Sequence, residues 1–184
     1  GTASGSKQIG GLQLLVSDAP ATPTVGGISA ATWSFWRNQQ TTASTAAAGS
    51  ILGAMNSLYT SMCRANDTPD LILADNNYYT RYMESLQLIQ RVTSNKMASA
   101  GFVSLKYMNS DVVLDGGYGG NCPQDHMYFL NTDYLYFRPH SRRNMVPIGD
   151  DRFSVNQDAM VKLIGFAGNM TVANRFLQGV LTNT

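Results

Sequence analysis

Apolar residues recur with helical spacing in the second quarter of the chain. Ile51, Leu52, Met55, Leu58, Tyr59 and Met62 fall at i, i+1, i+4, i+7, i+8 and i+11, one continuous face. Ala46, Ala47 and Ala48 favour the start of that helix, Ser44 or Thr45 can cap it, and Asn66-Asp67-Thr68-Pro69 stops it. The spacing predicts a helix over 44–64, roughly 30 Å long at about 1.5 Å per residue. Leu71-Ile-Leu-Ala74 is apolar without alternation and predicts a buried, central strand. Asp75 or Asn76 then caps a second helix, whose apolar face carries Tyr78, Tyr79, Tyr82, Met83, Leu86 and Ile89.

Beyond residue 93 the pattern turns to strands. Asp111 to Asp115 reads as one. Met127 to Leu130 and Tyr134 to Phe137 flank Asn131-Thr-Asp133, a tight turn or bulge. Ala159 to Ala167 and Met170 to Val180 have β character and are split at Gly168-Asn169. Residues 1–43 read as irregular: Asp18-Ala-Pro20, Thr22-Pro23 and Gly26-Gly27 are turn signals too closely spaced for a long element, and only Leu12 to Val16 suggests a short strand. A helix-rich first half and a strand-rich second half make an α+β chain with mostly antiparallel sheets. There is no internal repeat.

Charge changes the picture more than hydrophobicity does. Thirteen Lys+Arg against twelve Asp+Glu give a net charge of +1, without the basic excess that phosphate contacts require. Charged residues are only 14% of the chain, against about 25% in typical domains. Fourteen Asn and nine Gln outnumber the acids. Uncharged polar surface is cheaper to desolvate, so the balance leans towards extensive protein–protein contact, the alternative being a small neutral enzyme domain. No apolar run reaches the length of a membrane helix, and Gly1 to Gly11 does not read as a signal peptide. Two cysteines, Cys63 and Cys122, are no disulfide framework and fit synthesis in a reducing cytoplasm.

Candidate chemistry is thin. Asp115-Gly-Gly-Tyr-Gly-Gly-Asn121 lacks the Gly-Lys-Ser/Thr of a phosphate loop and reads as a surface loop after a strand. Asp115, Cys122, Asp125 and His126 do not have zinc-ligand spacing, and His140 is the only other histidine. No nucleophile elbow is present, Glu84 is the only glutamate, and the neighbours Asp150 and Asp151 diverge in most backbones. No catalytic, cofactor-binding or metal-ligating residue is therefore assigned. Two features suit assembly. Trp33-Ser-Phe-Trp36 is either a hydrophobic plug under a loop or an anchor in a subunit interface, making Trp33 and Trp36 interface candidates. Arg138-Pro-His-Ser-Arg-Arg143 is a solvated loop or a set of ion-pair donors across a subunit boundary, through Arg138, Arg142 and Arg143, with DNA contact a weaker third option because three arginines without interleaved aromatics give little affinity.

An ordered series of motifs runs through nearly the whole chain: Ile9-Gly-Gly-Leu12, Thr24-Val-Gly-Gly-Ile28, Trp33 to Asn38, Pro69-Asp-Leu-Ile-Leu-Ala-Asp-Asn-Asn-Tyr-Tyr79, Gln90 to Ser94, Asp115 to Gly120, His126 to Asp133, Phe137-Arg-Pro-His140 and Pro147 to Arg152. The series resembles the major capsid proteins of tailed phages and prophages. That resemblance implies the Hong Kong 97-like capsid fold, with a long spine helix and interleaved axial and peripheral subdomains. By position, 1–43 is then an irregular N-terminal segment, 44–64 the spine helix, and 70–184 the two subdomains of a single capsid core. The family's N-terminal arm and extended loop match no stretch here and are expected to be absent or truncated.

The implied role is a shell subunit and not an enzyme. It would self-assemble as pentamers and hexamers into an icosahedral shell around packaged double-stranded DNA, with no cofactor and no membrane. It would be made in the bacterial cytoplasm and end in the virion capsid, with scaffold, portal and decoration proteins as further partners. An encapsulin-type compartment of the same fold is the nearest rival. A small hydrolase is the rival of another class, and it predicts a deep polar pocket at His126 or His140.

Overall fold

The computed structural model describes residues 8–43, 50–87, 104–115, 120–149, 152–153 and 160–183. The start of the first predicted helix, Ile89, the Gln90 to Ser94 motif, Gly116 to Gly119 and Asp150-Asp151 lie outside them. The elements in order are α1 (Leu12–Leu15), β1 (Thr24–Val25), β2 (Ile28–Ser29), a 3-10 turn at Ser34–Trp36, β3 (Gln39–Thr42), α2 (Ser50–Met62), β4 (Leu71–Ala74), α3 (Asn76–Gln87), β5 (Ser104–Tyr107), β6 (Ser110–Leu114) and β7 (His126–Leu130). A 3-10 turn at Thr132–Tyr134 follows, then β8 (Leu135–Pro139), β9 (Val146–Pro147), β10 (Arg152–Phe153), β11 (Met160–Val161), β12 (Ile164–Gly165), β13 (Gly168–Val172) and β14 (Gly179–Thr182).

Six strands form the central sheet in the order β3-β14-β7-β4-β6-β5. Its ladders are antiparallel except β3 with β14 and β4 with β6. The predicted central strand β4 is interior, between β7 and β6. Both sheet faces are covered, which is why these strands read as apolar runs and not as alternations. On one face Ile72, Ala74, Met127, Phe129 and Leu181 meet Met55, Leu58 and Met62 of α2 and Tyr78 and Tyr82 of α3. On the other, Leu71, Leu73, Tyr128, Leu130 and Val180 meet Leu15 and Val16 of the N-terminal segment and Leu135, Met170 and Val172 at the roots of β8 and β13.

The capping expectation for α3 holds in detail. Asp75 is buried, and its Oδ1 accepts from the Tyr78 amide at 3.0 Å and its Oδ2 from the Asn77 amide at 3.2 Å. The second oxygen also accepts from the Asp125 amide at 2.9 Å, tying the helix start to the loop before β7. The tyrosine face of α3 sits inside the core, where burial pushes the Tyr78 and Tyr82 phenols up to about 12.

Three readings change, and a fourth is described only in part. Of the first predicted helix, the described residues form α2, 13 residues spanning about 20 Å, and its expected start at 44–49 lies outside them. Leu12–Leu15 is a helical turn and not a strand, because it lies over the sheet face instead of pairing at an edge. Asn131 to Asp133 is no hairpin turn: it is a corner through which the chain leaves the central sheet, since β8 pairs with β13 and not with β7. Gly168-Asn169 does not split the two stretches but opens β13; the interruptions fall at Phe166-Ala167 and at Ala173 to Gln178.

From that corner the chain builds a two-stranded ribbon. Leu135 pairs with Val172 and Pro139 with Gly168; further out Val146 pairs with Gly165, and Phe153 with Met160. Gly168 is required by close approach, because a Cβ there would stand 2.9 Å from the Arg138 carbonyl oxygen and from Pro139 Cα. Both are backbone of the paired strand and cannot swing aside. Gly168→Ala should therefore open the ribbon locally, costing it about 1–3 kcal/mol. Faster hydrogen exchange is expected at the His140 amide, which bonds the Ala167 carbonyl at 2.8 Å, with no change at the β7–β14 ladder. Unaltered exchange at His140 would contradict this.

Candidate assembly surface

Surface apolarity is concentrated on the ribbon. Nine of the fourteen exposed large hydrophobic side chains among the described residues belong to it, so the exposure is local and not a scatter. Met145, Met160 and Ile164 near its outer end are 69%, 65% and 65% exposed. A two-stranded ribbon is marginal on its own in water, and contiguous apolar patches on soluble monomers are rare. This one gains its order from the root, where Leu135, Met170 and Val172 join the second core, and from Phe137 stacked on Phe166 with centroids 5.8 Å apart.

The arginine candidates all lie on this ribbon and all are exposed. Arg138 Nε donates to Thr171 Oγ1 across the ladder at 3.1 Å, and its guanidinium covers the Tyr136 ring at 5.1 Å. Arg142 and Arg143 follow in the turn after β8, where the Arg142 amide donates to His140 Nδ1 at 3.2 Å. No ion pair involving the three is present among the described residues.

The tryptophan candidates separate. Trp33 is 54% exposed and Phe35 62%, their rings 5.9 Å apart, so this stretch is not a buried plug. Trp36 is half-buried and donates from Nε1 to the Val25 carbonyl at 3.1 Å, a structural role in the N-terminal segment. Trp36 and Phe35 form one wall of an open groove whose other walls are Arg64, Ala173, Asn174 and Phe176. The Arg64 guanidinium lies on the Phe176 ring at 4.3 Å.

The residue that sequence reasoning missed is Arg175. It is fully buried among the described residues with no carboxylate partner, and burial pulls its pKa down to about 10. Its Nε donates to the Leu15 carbonyl at 2.7 Å, one terminal nitrogen to the Trp36 carbonyl at 3.0 Å, and the other to Asn38 Oδ1 at 2.9 Å. Buried Asn38 in turn donates to the Ser17 carbonyl at 2.8 Å. One guanidinium thus fastens the N-terminal segment, and the Trp36 wall of the groove with it, to the link between β13 and β14. A lone Arg between Asn and Phe carries no sequence signal for this; only its position in space does.

The polar cluster at the other end of the sheet is held together by internal hydrogen bonds. His126 Nε2 lies 3.0 Å from Asp18 Oδ2, and Nδ1 lies 2.7 Å from the Gln124 carbonyl. Cys122 points its thiol at the His126 carbonyl, 3.6 Å away, and burial beside Asp75 and Asp115 pushes that thiol up to about 12. A thiol held protonated is neither a ready nucleophile nor a ready metal ligand. Cys63 is a free cysteine too. No group of three or more His, Cys, Asp or Glu able to hold a metal occurs among the described residues, and none of their helices is long and apolar enough to cross a membrane.

For His126, burial lowers the pKa, but the Asp18 and Gln124 hydrogen bonds and the charges of Asp18 and Asp75 outweigh it, so the net shift is upward. A folded-state pKa above the ordinary value gives stability that is complete below that ordinary value and lost as pH rises through the raised one. Asp18 is mostly exposed, so the contribution is small, about 0.5–1 kcal/mol. We expect wild type to lose this increment relative to Asp18→Asn as pH rises from 5 to 8, measured by urea unfolding. Parallel pH profiles for the two proteins would disprove the coupling.

No protein-family model and no curated protein matches this chain in sequence. Among solved structures, a chain of the cyanophage A-1(L) capsid asymmetric unit superposes with a TM-score of 0.65 at 16% identity, over 94% of this chain and 58% of that one. The fold is shared with a phage capsid chain. The present chain spans less than two thirds of that neighbour's length.

Proposed function

We propose that this chain is the core of a tailed-phage major capsid subunit of the Hong Kong 97-like class, a structural component and not a catalyst. The observation that carries the reading is the superposition over 94% of the chain on a phage capsid chain. The exposed apolar ribbon supports it, because a shell supplies the neighbours that would cover such a surface. In this reading identical copies make pentamer and hexamer contacts that are individually weak and become strong on closure of an icosahedral shell around DNA. The virion is its final location and the bacterial cytoplasm its place of synthesis. Scaffold, portal and decoration proteins are the expected further partners.

The histidine environments also favour a structural role. His126 is occupied by Asp18 and the Gln124 carbonyl, and His140 sits on the exposed ribbon. The test is co-expression of the full-length protein with its maturation partners, followed by electron microscopy. Closed shells of uniform diameter are expected; monomers alone would sink the proposal.

A further inference from the structure

We infer that the outer part of the ribbon of one copy docks into the Phe35–Trp36–Phe176 groove of a second copy, a head-to-tail contact. The inference rests on the shell-subunit reading and names which surfaces meet. The groove lies at the ribbon's own root: Ala173 and Asn174 directly follow β13, and the Ala173 amide bonds the Tyr134 carbonyl at 2.9 Å. The outer ribbon is elsewhere. The shorter of the paired strands, Leu163 to Val172, spans up to about 30 Å at roughly 3.3 Å per residue, and the pairing holds that end away from its root. A copy therefore cannot fill its own groove with its own ribbon end. A second copy can.

The two surfaces are complementary in shape and chemistry. The ribbon end protrudes and carries Met145, Met160 and Ile164 exposed. The groove is concave and aromatic, and thioether sulfur packs well against aromatic rings. Charge agrees. Residues 135–172 carry five Lys+Arg against three Asp, a net charge of +2, and Arg142 and Arg143 are presented exposed. The corner beside the groove gathers Asp67, Asp70 and Asp133. There Tyr134 donates to Asp67 at 3.0 Å and Thr132 donates to Asp70, both neutral groups that leave the negative charge in place. The nearby cation Arg64 is turned onto Phe176 instead. A contact between two different patches is heterologous, so it propagates around a ring and does not stop at a dimer.

Mixing two deficient variants of the 184-residue chain tests this. The ribbon variant is Met160→Asp with Ile164→Asp; the groove variant is Phe35→Lys with Asp133→Lys. All four positions are exposed, and thermal unfolding checks that both variants stay folded, with Ser replacing the new charges in any that does not. By sedimentation velocity, the wild-type chain should form concentration-dependent oligomers, and each variant alone should associate at least about ten-fold more weakly. An equal mixture should recover dimers and nothing larger, because each pair keeps one intact ribbon end and one intact groove. Variants that assemble like wild type, or a mixture that stays monomeric, would overturn the docking, as would a wild-type chain that stays monomeric up to its solubility limit. Shells from the full-length protein alongside any of those results would leave the capsid reading standing and remove only this contact.

Discussion

Arg175→Met is expected to destabilise the protein by about 3–5 kcal/mol, the largest effect of any single substitution considered for this chain. The substitution leaves the Leu15 and Trp36 carbonyls and Asn38 Oδ1 without their donor in a site closed to water. Each orphaned buried acceptor costs about 1–3 kcal/mol, and methionine's apolar fit offsets only part of the sum. For a chain of this size the loss corresponds to roughly 10 °C in Tm. Arg175→Lys is the informative control. It keeps the charge, but a single ammonium cannot reach three acceptors arranged around a planar fork, so it should recover less than half of the loss. Urea unfolding of the three proteins decides the matter. A lysine variant as stable as wild type would show that charge and not geometry holds the segment, and a methionine variant within about 1 kcal/mol would remove the fastening role altogether. Because Arg175 holds the Trp36 wall, limited proteolysis of Arg175→Met should also cut first within residues 8–38.

Leu58→Ala is expected to cost about 3–4 kcal/mol, in the middle of the usual range for such deletions. Leu58 is fully buried on α2 and faces β14 at Gly179, where a Cβ would come within 3.0 Å of Leu58 Cδ1 and would also collide with Met62 Sδ. The helix therefore rests on bare backbone at this point. When the leucine is shortened, the strand has no side chain to move into the space, so the cavity stays open. Gly179→Ala alone should cost about 1–2 kcal/mol by overpacking against Leu58 and Met62. In the double variant the new methyl occupies space that the leucine vacated. Its loss should fall short of the sum of the single losses by about 1 kcal/mol or more. Simple additivity in chemical denaturation would mean that the helix and strand relax independently, contrary to the close approach at Gly179.

Much of the central fold was legible because local chemistry and burial agreed there. The face from Ile51 to Met62, the unbroken run Leu71 to Ala74 and the cap at Asp75 each carry their own signal, and each lies where its pattern places it. The errors fall where pairing partners are distant. Leu12 to Val16 has strand-like residues but no free edge to pair with, and it covers the sheet as a helical turn. Gly168 looks like a break, yet it is the residue that lets two backbones approach within the ribbon. Of the surface candidates, Trp33 and the three arginines are presented outward, while Trp36 turns inward to bond Val25. The sequence could not separate Trp33 from Trp36, since both sit in the same four residues.

By itself the sequence determined the α+β class, the two helices around β4 and the low charge. Those properties are local or compositional, and periodicity, caps and counts report them directly. The tertiary structure alone decided that β7 turns a corner at Asn131 to Asp133 instead of forming a hairpin with β8, that the described parts of 135–172 pair as a ribbon with nine large apolar side chains exposed, and that Arg175 closes over a segment some 160 residues earlier in the chain. These depend on which strand finds which partner and on which carbonyls a buried guanidinium meets. Both are set by long-range packing, which no window of neighbouring residues encodes.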